Sequence, residues 1–305
     1  MAEAKTIEDR NARLMRRATY ASVSVAGMLI AVKSAAWLLT DSIAMLSTLI
    51  DSLFDAAASL VNLIAVGQAL KPADRAHRFG HGKAEPLAGL GQAALIAGSA
   101  AFLLFEAGHR LFQPRPIDNS AIGIGVMVFA IVLTLVLVRF QRHVVGKTKS
   151  VAISADSLHY VSDLLVNTGV IVALVLVTTL GWLWVDPVFG LAVAGFVLYN
   201  AWKIVARALD MLMDRELPDE DRARIREIVL GHAEVRDMHD LRTRSSGRDT
   251  FIQLHLELDG DLTLNRAHRI SDAVEARIRA AFPGAEVIIH QDPAGIEEER
   301  ATFTG

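Results

Sequence analysis

Cysteine is absent from all 305 residues. That excludes disulfides, thiolate metal sites and cysteine nucleophiles, so any metal must be held by histidine and carboxylate. Aromatic residues make up only 6 %, and the net charge is only -3. No basic patch interleaved with aromatics runs through the C-terminal part, which argues against a nucleic-acid partner. Enzyme signatures are missing too. There is no His-Glu-x-x-His zinc motif, no Gly-x-Ser-x-Gly elbow and no phosphate loop. Repeats and low-complexity segments are also lacking. Lys5, Arg10, Arg13, Arg16 and Arg17 precede the first apolar run, but no small-residue cleavage site follows it. That run therefore reads as a retained span rather than a signal peptide.

What the chain has in excess is apolar residues, 52 % of the total, with a mean hydropathy of +0.35. Soluble domains rarely look like this. The excess is confined to residues 1–213, and residues 214–305 have an ordinary soluble composition. The split predicts a transmembrane domain over 1–213 and a cytoplasmic domain over 214–305. Six apolar stretches of bilayer length are expected to be helices, at about 18–39, 43–69, 86–112, 119–141, 158–180 and 183–208. The connections at Thr40 to Ser42 and at Gly181 are barely turns, and Gln113-Pro-Arg-Pro116 is a helix breaker. Ala26-Gly27 and Ala97-Gly98-Ser99-Ala100 read as helix-packing signals. Lys71, Arg75, Arg78 and Lys83 follow the second span, and Arg139, Arg142, Lys147 and Lys149 follow the fourth. Their bias puts both termini and the soluble domain on the cytoplasmic side.

The soluble part reads helix, strand, strand, helix, strand. Pro218-Asp-Glu-Asp opens a helix to about Gly231, with acids in the first turn where the dipole favours them. Val235 to Arg244 and Thr250 to Leu258 alternate as strands, joined by the turn Ser245 to Asp249. Leu264 to Ala281 is helical, Pro283-Gly284 ends it, and Val287 to His290 is a short buried strand. The expected product is a small α+β domain of α-β-β-α-β order.

Three constellations carry chemistry. Asp51 and Asp55 lie at i and i+4 in the second span, and His159 and Asp163 at i and i+4 in the fifth. Each pair shares one helical face. A carboxylate inside a membrane costs at least a few kcal/mol, and such residues are functional candidates by default. A divalent cation relieves that cost, and one nitrogen with three oxygens suits tetrahedral zinc. Polar helix contacts, or a proton relay without metal, are the alternatives. Asp156, nearer the interface, is expected in an outer layer of the site or in solvent. The second constellation is Asp74, His77 and His81, in a loop that Gly80 and Gly82 let fold tightly. A solvated basic loop beside lipid head groups is the bland reading there. The third is His239, His255, His268, His290 and Asp292 in the soluble part; each alone reads as a satisfied polar residue, but together they suggest a pair of zinc ions sharing ligands. His232, His109 and His143 have simpler surface or interfacial explanations.

With these motifs in place, the chain resembles the cation diffusion facilitator family, in its bacterial zinc and ferrous-iron efflux pump branch. The resemblance rests on Asp51-Ser-Leu-Phe-Asp55, Pro72-Ala-Asp, His77-Arg-Phe-Gly-His-Gly-Lys-Ala-Glu85 and His159-Tyr-Val-Ser-Asp163. It also rests on His239-Asp-Leu-Arg-Thr-Arg244, Phe251-Ile-Gln-Leu-His-Leu-Glu257 and Val287-Ile-Ile-His-Gln-Asp-Pro293. It implies six transmembrane helices followed by a metallochaperone-like domain that regulates and dimerises. It implies a transport site at Asp51, Asp55, His159 and Asp163, a loop site at Asp74, His77 and His81, and a binuclear site at His239, His255, His268, His290 and Asp292. Zn²⁺ would be both cargo and regulator, with no organic cofactor. The working unit would be a homodimer in the bilayer of the bacterial inner membrane, with Lys83 and Asp214 forming a contact near the membrane surface. The histidine-rich loop of eukaryotic relatives is missing, and Arg142 to Ser150 is short and basic instead.

The function expected is secondary active transport rather than enzymology: divalent metal efflux, with Zn²⁺ first and Cd²⁺ or Fe²⁺ next, in antiport with protons by alternating access. His159 is the expected proton carrier, because its ordinary pKa of about 6.5 lies in the working range, and Asp51 is the second. A membrane-anchored metal sensor would leave Asp51 and Asp55 unexplained. A passive cation channel would move metal without proton coupling.

Overall fold

A computed structural model describes residues 2–40, 43–112, 121–180, 184–247 and 249–295. Six long helices come first: α1 (Ala2–Thr40), α2 (Ile43–Ala69), α3 (Ala84–Phe112), α4 (Ala121–Thr148), α5 (Val151–Leu180) and α6 (Val185–Leu212). A shorter set follows: α7 (Asp219–Leu230), β1 (Asp237–Ser246), β2 (Asp249–Leu258), α8 (Leu264–Ala281) and β3 (Glu286–Pro293). The chain divides into two compact units, one spanning Asp9–Leu209 and the other formed by the chain from Asp210 on together with the first eight residues. The fold is therefore the expected helical membrane region followed by a small α+β domain.

Among the described residues, the segments Asp9–Leu39, Thr48–Ala69, Ala84–His109, Ile122–Thr148 and Pro187–Leu212 are long and apolar enough to cross a membrane. Phe54, Phe102, Phe105 and Trp202 stand exposed on the outside of the helical unit, where lipid rather than water would meet them. The helices overrun the apolar stretches that announced them. α1 starts well before residue 18, and the basic segment from Arg142, expected as a loop, is helical as far as Thr148. Apolar length marks only the lipid-buried part of a helix, and basic side chains can continue the helix into the interface. The turns at Asp41, Ser42 and Gly181 and the proline-rich Gln113 to Pro116 lie outside the described residues.

Local chemistry sets where α5 begins. Lys149 adopts a left-handed φ of 57° after the last turn of α4. The Ser150 hydroxyl then accepts from the Ile153 amide at 3.2 Å, a side-chain cap on the new helix. Glu85, in the first turn of α3, accepts from the Ser150 hydroxyl and from the Val151 and Ala152 amides. A buried carboxylate thus sits on the positive end of α5. α3 and α5 meet closely here, since a Cβ on Gly89 would come within 2.8 Å of Val151 Cγ1. The other small-residue signals divide. Ala26 and Ala100 are buried, but a Cβ on Gly27 or Gly98 would meet nothing within 4 Å. Those two glycines do not mark helix contacts within this chain.

In the second unit the sheet order is β1-β2-β3, antiparallel between the first two strands and parallel between the last two. Ile252, Leu254, Leu256 and Leu258 alternate inward from β2 and meet Ile270, Val274 and Ile278 of α8 and Ile225 and Val229 of α7. Full burial of such a side chain contributes about 1.5–3 kcal/mol. Leu256 lies at the centre of this core and is fully buried. Leu256→Ala is expected to cost about 2–5 kcal/mol, seen as faster amide exchange throughout β1, β2 and β3 of the intact protein.

Candidate metal centres

α2 and α5 pack together, and their contact brings the intramembrane residues into one cluster. His159 Nε2 lies 2.8 Å from Asp55 Oδ1 and 3.9 Å from Asp163 Oδ2. Ligand atoms of Asp55, His159 and Asp163 all fall within 4.8 Å of one another. Two of the separations bracket the edge of about 3.3 Å expected for a tetrahedron with bonds of about 2.0 Å. Asp51, one turn from Asp55 on α2, is outside that group of three. The structure thus brings together three of the four residues expected there.

Two nearby residues have partners that the sequence does not show. Asp156 is not in solvent: it is 1 % exposed. Its carboxylate accepts from Ser22 Oγ of α1 at 2.6 Å, Gln92 Nε2 of α3 at 3.1 Å and Gln141 Nε2 of α4 at 2.7 Å. One turn along α5, the Tyr160 hydroxyl donates to the Ser22 carbonyl at 3.2 Å and lies 2.9 Å from Ser59 Oγ of α2. Polar partners from three other helices allow a carboxylate to be buried here, which excludes the solvent alternative for Asp156. Lys33 of α1 is the overlooked residue. Its ammonium donates to Ser52 Oγ at 2.7 Å and to the Thr48 carbonyl at 3.0 Å, both on α2. There it interacts electrostatically with Asp55, Asp163 and Asp51. A lysine inside an apolar span was its signal.

The loop group also forms. Asp74 accepts from the Ala76 and His77 amides at 2.8 and 2.7 Å, and those amides, His77 first, hold its carboxyl below the usual range. His77 Nδ1 and His81 Nε2 lie 3.4 and 3.3 Å from its two oxygens. The turn needs Gly80, whose φ is 80°. Gly82 does not share the left-handed backbone. The other nitrogen of His81 is buried without a hydrogen-bond partner.

In the soluble unit, strand register does what sequence spacing could not show. His239 pairs with His255 across β1 and β2, and His255 pairs with His290 across β2 and β3. The three rings form a row, with centroids 5.0 and 4.7 Å apart. Asp292, 5 % exposed, faces them with both oxygens. Oδ2 lies 2.7 Å from His255 Nδ1 and 3.4 Å from His239 Nε2, and Oδ1 lies 3.1 Å from His290 Nε2. Glu257, not singled out in the sequence, is 3.0 Å from His239 Nδ1. His268 is not in this row; it lies on an exposed face of α8, 3.5 Å from Asp272.

Two family models match the chain: the cation efflux transmembrane domain over residues 19–213 and the cation efflux protein cytoplasmic domain over 217–294. The chain belongs to the cation diffusion facilitator family. The cation-efflux pump FieF of Shewanella oneidensis is 49 % identical over 283 residues, covering 93 % of this chain and 95 % of that protein. FieF of Salmonella paratyphi A is 46 % identical over 284 residues, covering 93 % and 94 %. A solved CzrB structure is 37 % identical and covers 26 % of this chain and 99 % of that one, with a TM-score of 0.25. The facilitator is accordingly a membrane transporter and not an enzyme.

The buried Asp156 contact generates a stability prediction. Asp156→Leu strands an N–H of Gln92 and one of Gln141, at about 1–3 kcal/mol each, while the Ser22 hydroxyl can still donate to the Ala18 carbonyl; it is expected to lower the melting temperature of the detergent-solubilised protein clearly. Asp156→Asn, which can still accept from Ser22 and one glutamine, should lower it less.

Proposed function

We propose that this facilitator exports a divalent cation, Zn²⁺ in the first instance with Cd²⁺ and Fe²⁺ as alternatives, in exchange for protons by alternating access. The observation that carries this is the Asp55, His159 and Asp163 cluster between α2 and α5. Asp51 completes the proposed transport site as a fourth ligand when the two helices close on the cation. Metal ligands must be deprotonated, so protons and cation compete for the same atoms. His159 is the proposed principal proton carrier and Asp51 the second. Exchange of one dication for one proton would move net charge outward, at about 2.3 kcal/mol per 100 mV of inside-negative potential. Exchange for two would be electroneutral.

The domain boundary proposed is 1–213 for the transmembrane domain and 214–305 for a cytoplasmic regulatory and dimerisation domain. The basic loops favour both termini in the cytoplasm of a bacterial inner-membrane protein. In the cytoplasmic domain His239, His255, His290 and Asp292 would hold regulatory Zn²⁺. The two oxygens of Asp292 face different histidines, which suits a carboxylate shared by two ions. His268, on the exposed face of α8, would complete the binuclear site at a homodimer interface. Asp74, His77 and His81 would hold a further ion in the loop. Lys83 and Asp214 would form a dimer-stabilising contact near the membrane, with Asp214 also 3.4 Å from the Arg244 guanidinium.

Purified protein in liposomes, with an outward proton gradient across the membrane, tests the transport reading. Wild type is expected to drive Zn²⁺ uptake that collapses when the gradient is dissipated, and Asp55→Ala to lose at least tenfold of the rate. Equal uptake by the two would refute the site. For the regulatory site, His255→Ala is expected to lower zinc stoichiometry and abolish zinc-dependent dimer stabilisation, measured by analytical ultracentrifugation with and without chelator. Unchanged values for both would refute it.

A further inference from the structure

Lys33 places a positive charge beside a site proposed to take a dication. Ordinary electrostatics makes that unfavourable for binding, so its position calls for a reason. The ammonium does not roam. Ser52 Oγ and the Thr48 carbonyl fix it against α2, within electrostatic reach of Asp51, Asp55 and Asp163. The carboxylates of Asp51, Asp55 and Asp163, one bound dication and this ammonium sum to zero when His159 is neutral; Asp156, whose oxygens are taken by Ser22, Gln92 and Gln141, is outside this set. Without the ammonium, the loaded site carries one net negative charge.

Net charge in a region of low dielectric is costly, and the cost falls on whichever state must rearrange there. We infer, resting on the transport site proposed above, that Lys33 is the fixed counter-charge that makes the dication-loaded site electroneutral. It gives up some metal affinity so that the loaded helix pair can reorient and release its cargo. A monovalent cation at the site would leave one negative charge and a trivalent cation one positive charge, so the same residue favours divalent cargo. Lys33 acts through charge rather than by ligation. Its two hydrogen bonds to α2 hold it with the helix that carries Asp51 and Asp55, so the balance travels with the site.

This assigns an unusual direction to the mutant. Removing the charge should tighten binding while slowing transport. Zn²⁺ binding to the full-length protein, reconstituted in nanodiscs, is measured by competition with a zinc-chelating dye at pH 8, where proton competition for the ligands is small. The His81→Ala, His255→Ala background isolates the transport site. Lys33→Gln is expected to bind Zn²⁺ on the order of tenfold more tightly and, in liposomes, to show a lower KM with a kcat reduced by at least fivefold. Lys33→Arg, which keeps the charge, should return both values most of the way to those of Lys33. Lys33→Met supplies the same comparison if the glutamine variant proves unstable. Unchanged or weaker Zn²⁺ binding in the neutral variants, or equal defects in the glutamine and arginine variants, would overturn the counter-charge role. If the Lys33 protein itself neither binds nor moves Zn²⁺, the transport site proposed above fails instead.

Discussion

A carboxylate inside an apolar helix bundle has to be satisfied from the bundle itself, and Asp156 is where this protein meets that constraint. Donors from α1, α3 and α4 converge on its two oxygens. The neighbouring Tyr160 hydroxyl bonds to α1 and lies against Ser59 of α2. Four helices are therefore tied to one turn of α5, and a rotation of that turn would strand buried polar groups at about 1–3 kcal/mol each. His159 lies on the next turn and Asp163 one turn beyond it. Their direction toward Asp55 follows from the same contacts. The apolar packing that surrounds them, without directionality of its own, could not specify one rotation of α5 so narrowly.

Charge is then layered outward from that anchor. Asp156 is solvated by two side-chain amides and a hydroxyl. Asp55 and Asp163 share His159. Lys33, held by Ser52 and the Thr48 carbonyl, is a cation next to the acids without ligating the same point. The second unit arranges its histidines by different means. A β-ladder brings His239, His255 and His290 into register, and one buried carboxylate serves all three. Helical periodicity builds the first site and strand pairing the second.

This difference explains what could be read in the sequence. Both intramembrane pairs were legible because i, i+4 spacing is local information, and apolar runs isolate them. α8 was legible to the residue, Leu264 to Ala281, since a soluble amphipathic helix bounded by Thr263 and Pro283-Gly284 carries its own limits. The ends of α1, α4 and α5 were not, because hydropathy reports lipid contact and not helix length. The histidine row depends on which strands pair and in what register, and that is decided by the whole core. Asp156 and Lys33 escaped for a related reason. The partners of Asp156 are 134, 64 and 15 residues away and Ser52 is 19 residues from Lys33, all on other helices, so only the packed bundle shows that one carboxylate is buried among neutral donors and one lysine faces the acids.

The central claim is that a dication is held inside the membrane unit by one imidazole and carboxylate oxygens. X-ray absorption at the zinc edge tests it most directly, on full-length protein carrying His81→Ala and His255→Ala so that the loop and cytoplasmic groups are disabled. The expected result is one zinc per chain in a four-coordinate shell of one nitrogen and three oxygens at about 2.0–2.1 Å, lost on further substitution of Asp55 by Ala. Zinc in a shell with two or more imidazoles, or a spectrum unchanged by Asp55→Ala, would contradict it.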